Sequence, residues 1–187
     1  MYIGHREGWI VIYNRNMKFL SEFSSEGKVL DLIVLPDNTL MVLDALNEKI
    51  KYFTKTGKFI RSHGSYGTAF GQYRYLKGAV WNKRTKEWIV AESDNGRLQT
   101  KNRIIGSFGS GPENFHEPTQ LAQDIYGNVY VADRKNNRIQ VLSPNLTFLC
   151  RFGTEVLKEP YGVGVTVQGS VVVTDFYSVF VFSGGFD

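Results

Sequence analysis

A single cysteine, Cys150, stands in a chain of 187 residues. One thiol forms neither an internal disulfide nor a zinc cluster, which points to a reducing compartment. No apolar stretch approaches the ~20 residues of a membrane-spanning helix. The N-terminus also lacks the apolar core of a signal peptide, so a soluble, cytoplasmic domain is expected. The three histidines, His5, His63 and His116, fall in different parts of the chain, with no ligand spacing such as H-x-H or H-E-x-x-H. No metal and no cofactor are therefore expected. There is no G-x-S-x-G elbow and no phosphate-binding loop, so the chain is not expected to be an enzyme. Neither sign of charge dominates. Lys plus Arg number 22 against 18 Asp plus Glu, a net charge of +4, which permits a nucleic-acid or acidic partner without requiring one.

Apolar and aromatic residues, by contrast, are plentiful, at 42% and 14% of the chain, enough for a core. Their spacing is that of strands, and no helical periodicity appears. Four acids, Asp44, Glu92, Asp133 and Asp175, sit at strand ends with gaps of 48, 41 and 42 residues. "NTLMVLDALNEKIKYF", "KEWIVAESDNGRLQTK", "GNVYVADRKNNRIQVL" and "GSVVVTDFYSVFVF" align on them. "GKFIRSHG", "RIIGSFG" and "TFLCRFG" follow the first three. The start of the chain joins the pattern, because "WIVIYNRNMKFLSEF" aligns without a gap on "RIQVLSPNLTFLCRF". Each unit holds four short strands, and four antiparallel strands repeated at 40–50 residues make a propeller blade. The expected fold is all-β, a single domain over 1–187. It has complete blades at 29–64, 76–109 and 118–153 and partial blades at 1–24 and 160–187.

The pattern resembles the NHL repeat. Its carriers in 118–153 are Pro118, Ala122, Asp124, Gly127, Asn128, Asp133, Asn136, Arg138, Ile139, Phe148, Phe152 and Gly153. "GSYGTAFGQY" and "GSGPENF" look like the family's Gly-rich lead-in to a blade. The departures are Gln120 for the usual Gly, Glu92 for Asp, and "FYSVF" where the last blade should carry its polar knot. NHL propellers usually close with six blades, for which ~250 residues are needed at this spacing. The chain is thus expected to be either a truncated ring or a small ring closed by its terminal strands. Open blade edges would then invite aggregation or pairing into a dimer.

Asp133, Asn136 and Arg138, with their counterparts Asp44, Glu92 and Asp175, have a structural explanation. Asp and Asn cap the connection between the second and third strands, and Arg bridges the carboxylate. Lys49 and Arg97 are the expected counterparts of Arg138. Phe23, Phe108 and Phe152, with His63 as the variant, are expected to pack, and Cys150 to behave as a small hydrophobe.

Strand alternation sorts the loops onto two faces. A rim carries the second-to-third and blade-to-blade connections, and a turn face carries the others. On the rim, Arg134 and Lys135 occupy positions the repeat leaves free, and Tyr66, Arg74, Tyr75, Tyr161, Phe176 and Tyr177 could join them as a ligand platform. The turn face holds the excess of positive charge, with Lys83, Arg84, Lys86, Lys101 and Arg103 as an alternative site. For both groups, ordinary solvated loops are the competing account.

What the resemblance implies is recognition. NHL propellers of the TRIM type bind RNA in post-transcriptional regulation, or protein partners of a ubiquitin ligase. RNA and protein are therefore the expected partner classes, with no membrane. A propeller hydrolase or lyase is the third class.

Overall fold

Short runs rich in Val, Ile, Leu and aromatic residues, broken by Asx and Gly turns, can form only strands. The computed structural model describes residues 1–183. The last four residues of the final expected blade, 184–187, lie outside them. Among the described residues there are five antiparallel sheets, and the one helical element is a single 3-10 turn, Arg134–Asn136. Among the described residues, no helix is long and apolar enough to cross a membrane. The first sheet holds β1 (Tyr2–Gly4), β2 (Trp9–Tyr13) and β3 (Phe19–Ser24). The second holds β4 (Val29–Val34), β5 (Leu40–Asp44), β6 (Lys49–Phe53) and β7 (Phe59–His63). The third holds β8 (Leu76–Asn82), β9 (Glu87–Glu92), β10 (Arg97–Thr100) and β11 (Ile104–Ile105). The fourth holds β12 (Pro118–Gln123), β13 (Val129–Asp133), β14 (Arg138–Leu142) and β15 (Phe148–Phe152). The fifth holds β16 (Gly162–Val165), β17 (Val171–Thr174) and β18 (Val179–Phe182). In every sheet each strand pairs with the next in sequence, which is the meander expected of a propeller blade.

The chain divides into two compact units, Met1–Gly78 and the residues from Ala79 on. In the first, Ile10, Val29, Leu40, Val42 and Phe53 form a buried cluster, with Phe23 and Tyr2 packed against it. In the second, Ile89, Leu98, Phe115, Leu121, Val131 and Leu142 make one cluster, and Tyr130, Ile139, Val141, Val163, Val171 and Val173 make another. Each cluster joins residues of neighbouring sheets, so a blade buries its faces on the next blade of its unit. That burial supplies the stability a lone four-stranded sheet lacks.

Three of the strand-end acids, Asp44, Glu92 and Asp133, are fully buried, and each is ringed by donors. Asp133 accepts from the His116 N–H at 2.7 Å, Asn136 Nδ2 at 2.9 Å and Arg138 Nε at 2.7 Å. Glu92 accepts from Asn95 Nδ2 at 2.6 Å, Arg97 Nε at 2.9 Å and Gln99 Nε2 at 2.7 Å. Asp44 differs from the expectation. Its cation is Lys51, at 2.8 Å, not Lys49. Lys51 stands seven residues after the acid, where Gln99 and Gln140 stand in the other sheets. Positions five and seven beyond the acid project to the same side of the third strand, so either can supply the cation. Asp175 is part-exposed and caps a turn, accepting the Tyr177 and Ser178 N–H groups at 2.8 Å each. The phenylalanine expectation also needs correction. Phe108 is 64% exposed, because β11 stops at Ile105 and Phe108 lies beyond it in a bridge to Phe115.

Two measurements follow. Asp133→Ala leaves Arg138 buried with no carboxylate, so the second unit should lose about 3–5 kcal/mol in denaturant unfolding. The Asp44 carboxyl is pushed up by burial, but the hydrogen bonds from Lys51, Asn47 and the Lys28 N–H outweigh this and hold it below its ordinary 3.8. A depressed carboxylate stabilises the fold above its unfolded value, and that contribution is lost as pH falls through the folded one. Stability of the first unit should therefore begin to fall as pH drops toward 3.8 and keep falling below it. In a pH series of urea melts, Asp44→Asn should flatten that slope.

Candidate functional site

Three surfaces gather chemistry-bearing residues. The rim candidates divide between the units. In the first unit, the Arg74 guanidinium lies 5.3 Å from the centre of the Tyr66 ring, and Lys77 and Lys28 lie 4.2 Å and 5.6 Å from that of Tyr75. These are cation–π pairs, with Tyr66 exposed and Lys77 buried. In the second unit, Arg134 is clamped between two carboxylates, Glu117 at 2.8 Å and Glu159 at 2.5 Å, and stands 5.7 Å from the Phe176 ring centre. Lys135 also pairs with Glu159, at 2.6 Å. Hydrogen bonds from Lys135 and then Arg134 lower the Glu159 carboxyl below its ordinary value. The two cations and two acids of this cluster cancel in charge. The rim loops of the second unit carry Arg134, Lys135 and Lys158 against Asp94, Glu113, Glu117, Glu155, Glu159 and Asp175. Tyr161 and Phe176 are part-exposed or exposed there, and Tyr177 stands almost free of protein at 86% exposure.

The turn face of the second unit has the opposite sign. Lys83, Arg84, Lys86, Lys101 and Arg103 are all exposed, and none of them makes an ion pair among the described residues. The turns that carry them are tied together. Lys83 N–H donates to Gln123 Oε1 at 3.3 Å, and Gln123 Nε2 donates to the Gly127 carbonyl at 3.2 Å. Asn82 Nδ2 donates to the Pro144 carbonyl at 2.8 Å, and the Arg103 guanidinium to the Asn145 carbonyl. A Cβ placed on Gly127 would lie 3.7 Å from that of Arg84, so the basic turn and the Asp124–Asn128 turn touch. The acids nearby are turned inward to amides. Glu87 accepts from Asn102 Nδ2, and Asp124 accepts the Tyr126 and Asn128 N–H groups.

Sequence reasoning missed what lies beside these cations. Tyr126 is 74% exposed at the tip of the Asp124–Asn128 turn. It lines a cavity of about 310 Å³ together with Ile125, Tyr130, Val167 and Gln168. The Tyr130 hydroxyl is pushed up to about 12 by burial and by the Asp124 carboxylate, so it stays protonated at neutral pH. The alternation of β13 announces Tyr130, but the exposure of Tyr126 depends on turn geometry that the sequence does not fix. The first unit has a third surface, a groove of about 560 Å³ lined by Asn47, Lys49, Lys51, Phe53, Phe59 and Ser62 among others. No group of three or more His, Cys, Asp or Glu residues suited to a metal occurs among the described residues.

No protein-family model matches the chain, and no curated protein matches it in sequence. Solved structures do match. Virginiamycin B lyase from Staphylococcus aureus superposes with a TM-score of 0.73 at 13% identity, over 97% of this chain and 65% of that one. A functionally unknown protein from Desulfotomaculum acetoxidans gives 0.71 at 17% identity, over 96% of this chain and 60% of that one. Hydrazine synthase from Kuenenia stuttgartiensis gives 0.71 at 13% identity, over 100% and 68%. The chain thus spans less than two thirds of the length of the lyase. These neighbours correct the expectation that the chain is not an enzyme. The same fold carries a lyase, and a propeller collects its reactive groups from separate blades. The lack of a contiguous catalytic motif therefore excludes nothing. The likeness shows the fold, an all-β chain of antiparallel, propeller-like blades.

Proposed function

We propose that the chain is an NHL-type propeller segment that binds single-stranded RNA through the turn face of its second unit. The observation that carries this reading is the group of five exposed cations, free of ion pairs among the described residues, on hydrogen-bonded turns, one of which touches the turn that exposes Tyr126. Proteins that bind single strands without strict sequence preference combine such a basic surface with an aromatic on which a base stacks. The cations attract phosphate through counterion release, and the tyrosine faces the base. On the rim, Arg134 and Lys135 already hold carboxylates. A phosphate there would have to displace Glu117 and Glu159, which weighs for the turn face. The strand-end motif and the Gly-rich lead-ins support the NHL assignment by resemblance.

Anisotropy titrations of oligouridine at two salt concentrations test this. Replacing Lys83, Arg84 and Lys86 together by Glu should remove three phosphate contacts and lower the salt slope by about 2 units. Tyr126→Ala should weaken binding by about 1–3 kcal/mol per stacked base and leave the salt slope unchanged. Arg134→Glu with Lys135→Glu should have little effect. If the rim double abolishes binding and the turn triple does not, the site is the rim. If the wild-type chain shows no saturable, salt-sensitive binding, the RNA reading is wrong and a protein partner becomes the better account.

A further inference from the structure

The groove of the first unit exists because one connection is short. In the second unit, twelve residues, 106–117, run from β11 to β12. Part of this lead-in lies against β14 and is held there by its carbonyls. Asn136 Nδ2 donates to the Gly109 carbonyl at 2.8 Å, and Arg138 donates to those of Ser110, Gly111 and Asn114 at 2.7, 3.0 and 2.9 Å. Gln140 adds a second bond to Asn114, and Arg151 a second to Ser110. The Glu113 carboxylate completes the seat by accepting the Phe148 N–H at 2.7 Å.

In the first unit only four residues, 25–28, join β3 to β4. They satisfy part of the same set of donors. Asn47 Nδ2 reaches the Glu26 carbonyl at 3.5 Å, and Lys51 Nζ reaches those of Ser25 and Glu26 at 2.6 and 3.0 Å. Lys49 stands where Arg138 stands in the other unit. Its side chain makes no hydrogen bond or ion pair among the described residues, and it lines the groove. Ser62 replaces Arg151, and Phe59 replaces Phe148 at the same register shift in the outer strand. The groove therefore keeps the lining positions of a lead-in seat, with Asn47 and Lys51 held by the short connection, an apolar floor from Phe53 and Phe59, and one uncommitted ammonium.

From this we infer that the groove of the first unit receives an extended, glycine-bearing acidic peptide from another protein, which lies there as residues 109–115 lie in the second unit. Lys49 would meet its carbonyls, as Arg138 meets those of Ser110, Gly111 and Asn114, and its carboxylate would meet the Phe59 N–H as Glu113 meets that of Phe148. This site is separate from the basic turn face and does not depend on RNA binding.

The chain supplies its own probe. A labelled synthetic peptide GSGPENF, the sequence of residues 109–115, is titrated against the full chain by fluorescence anisotropy, with GSGPQNF as control. Saturable binding is expected, weaker by about tenfold for the Gln peptide and for Lys49→Glu, since each loses a charge-assisted contact. Lys49→Arg with Ser62→Arg restores the two arginines of the other seat and should tighten binding by about tenfold. Unchanged melting temperatures establish that these variants fold. The inference is overturned if neither the wild-type chain nor the double-Arg variant binds the peptide. It is equally overturned if Lys49→Glu binds as well as wild type, or if inorganic phosphate or oligouridine displaces the peptide from the groove.

Discussion

Asp133 has no contact with solvent, and a carboxylate taken from water must be met by donors on every side or it forces the protein apart. That requirement organises the second unit around it. The donors come from three places: the connection before β12, the tight turn after β13, and β14 itself. One ion pair thus fixes the end of one strand, the start of the next and the lead-in to the whole sheet. Arg138 extends the constraint, because its second and third donors hold the lead-in carbonyls. The apolar clusters between sheets supply most of the burial, but they are non-directional. The carboxylate stations are what set the register in which the sheets meet.

This construction separates the two ends of a blade. At the rim, side chains are consumed in holding connections together, and Arg134 and Lys135 are drawn into the same economy of pairs. At the turn face, each turn closes on itself through its first residue. Asn82, Asp124, Ser143 and Thr166 each accept backbone N–H groups within their own turn. Among the remaining turn residues the lysines and arginines of the second unit accumulate without ion pairs among the described residues.

The four-strand period and the strand-end acids were readable in the sequence because each depends on local alternation and turn chemistry. Three features were not. The choice of Lys51 over Lys49 for Asp44 was hidden by the two-residue period of a strand, which places both lysines on the same side. The pairing of Arg134 with Glu117 and Glu159 joins residues 17 and 25 positions apart in connections with no periodicity. The exposure of Phe108 follows from the early end of β11, which the alignment of phenylalanines did not register. Reactive groups on a propeller converge from separate blades, so neither the presence nor the absence of chemistry could be decided from motifs. The groove over β6 had one visible sign, the four-residue connection where its counterpart has twelve.

That short connection also sets the order in which the first unit comes apart. The first sheet is joined to the second by the tilted rings of Phe23 and Phe53, 5.1 Å between centres, by the Ile10 and Val29 cluster and by a few carbonyl bonds from Lys51 and Asn47. It lacks the internal strut that a seated lead-in provides between the third and fourth sheets. Amide protons of β2 and β3 should therefore exchange with solvent at a lower opening cost than those of β13 and β14, and the first sheet becomes the hinge at which this fold begins to loosen.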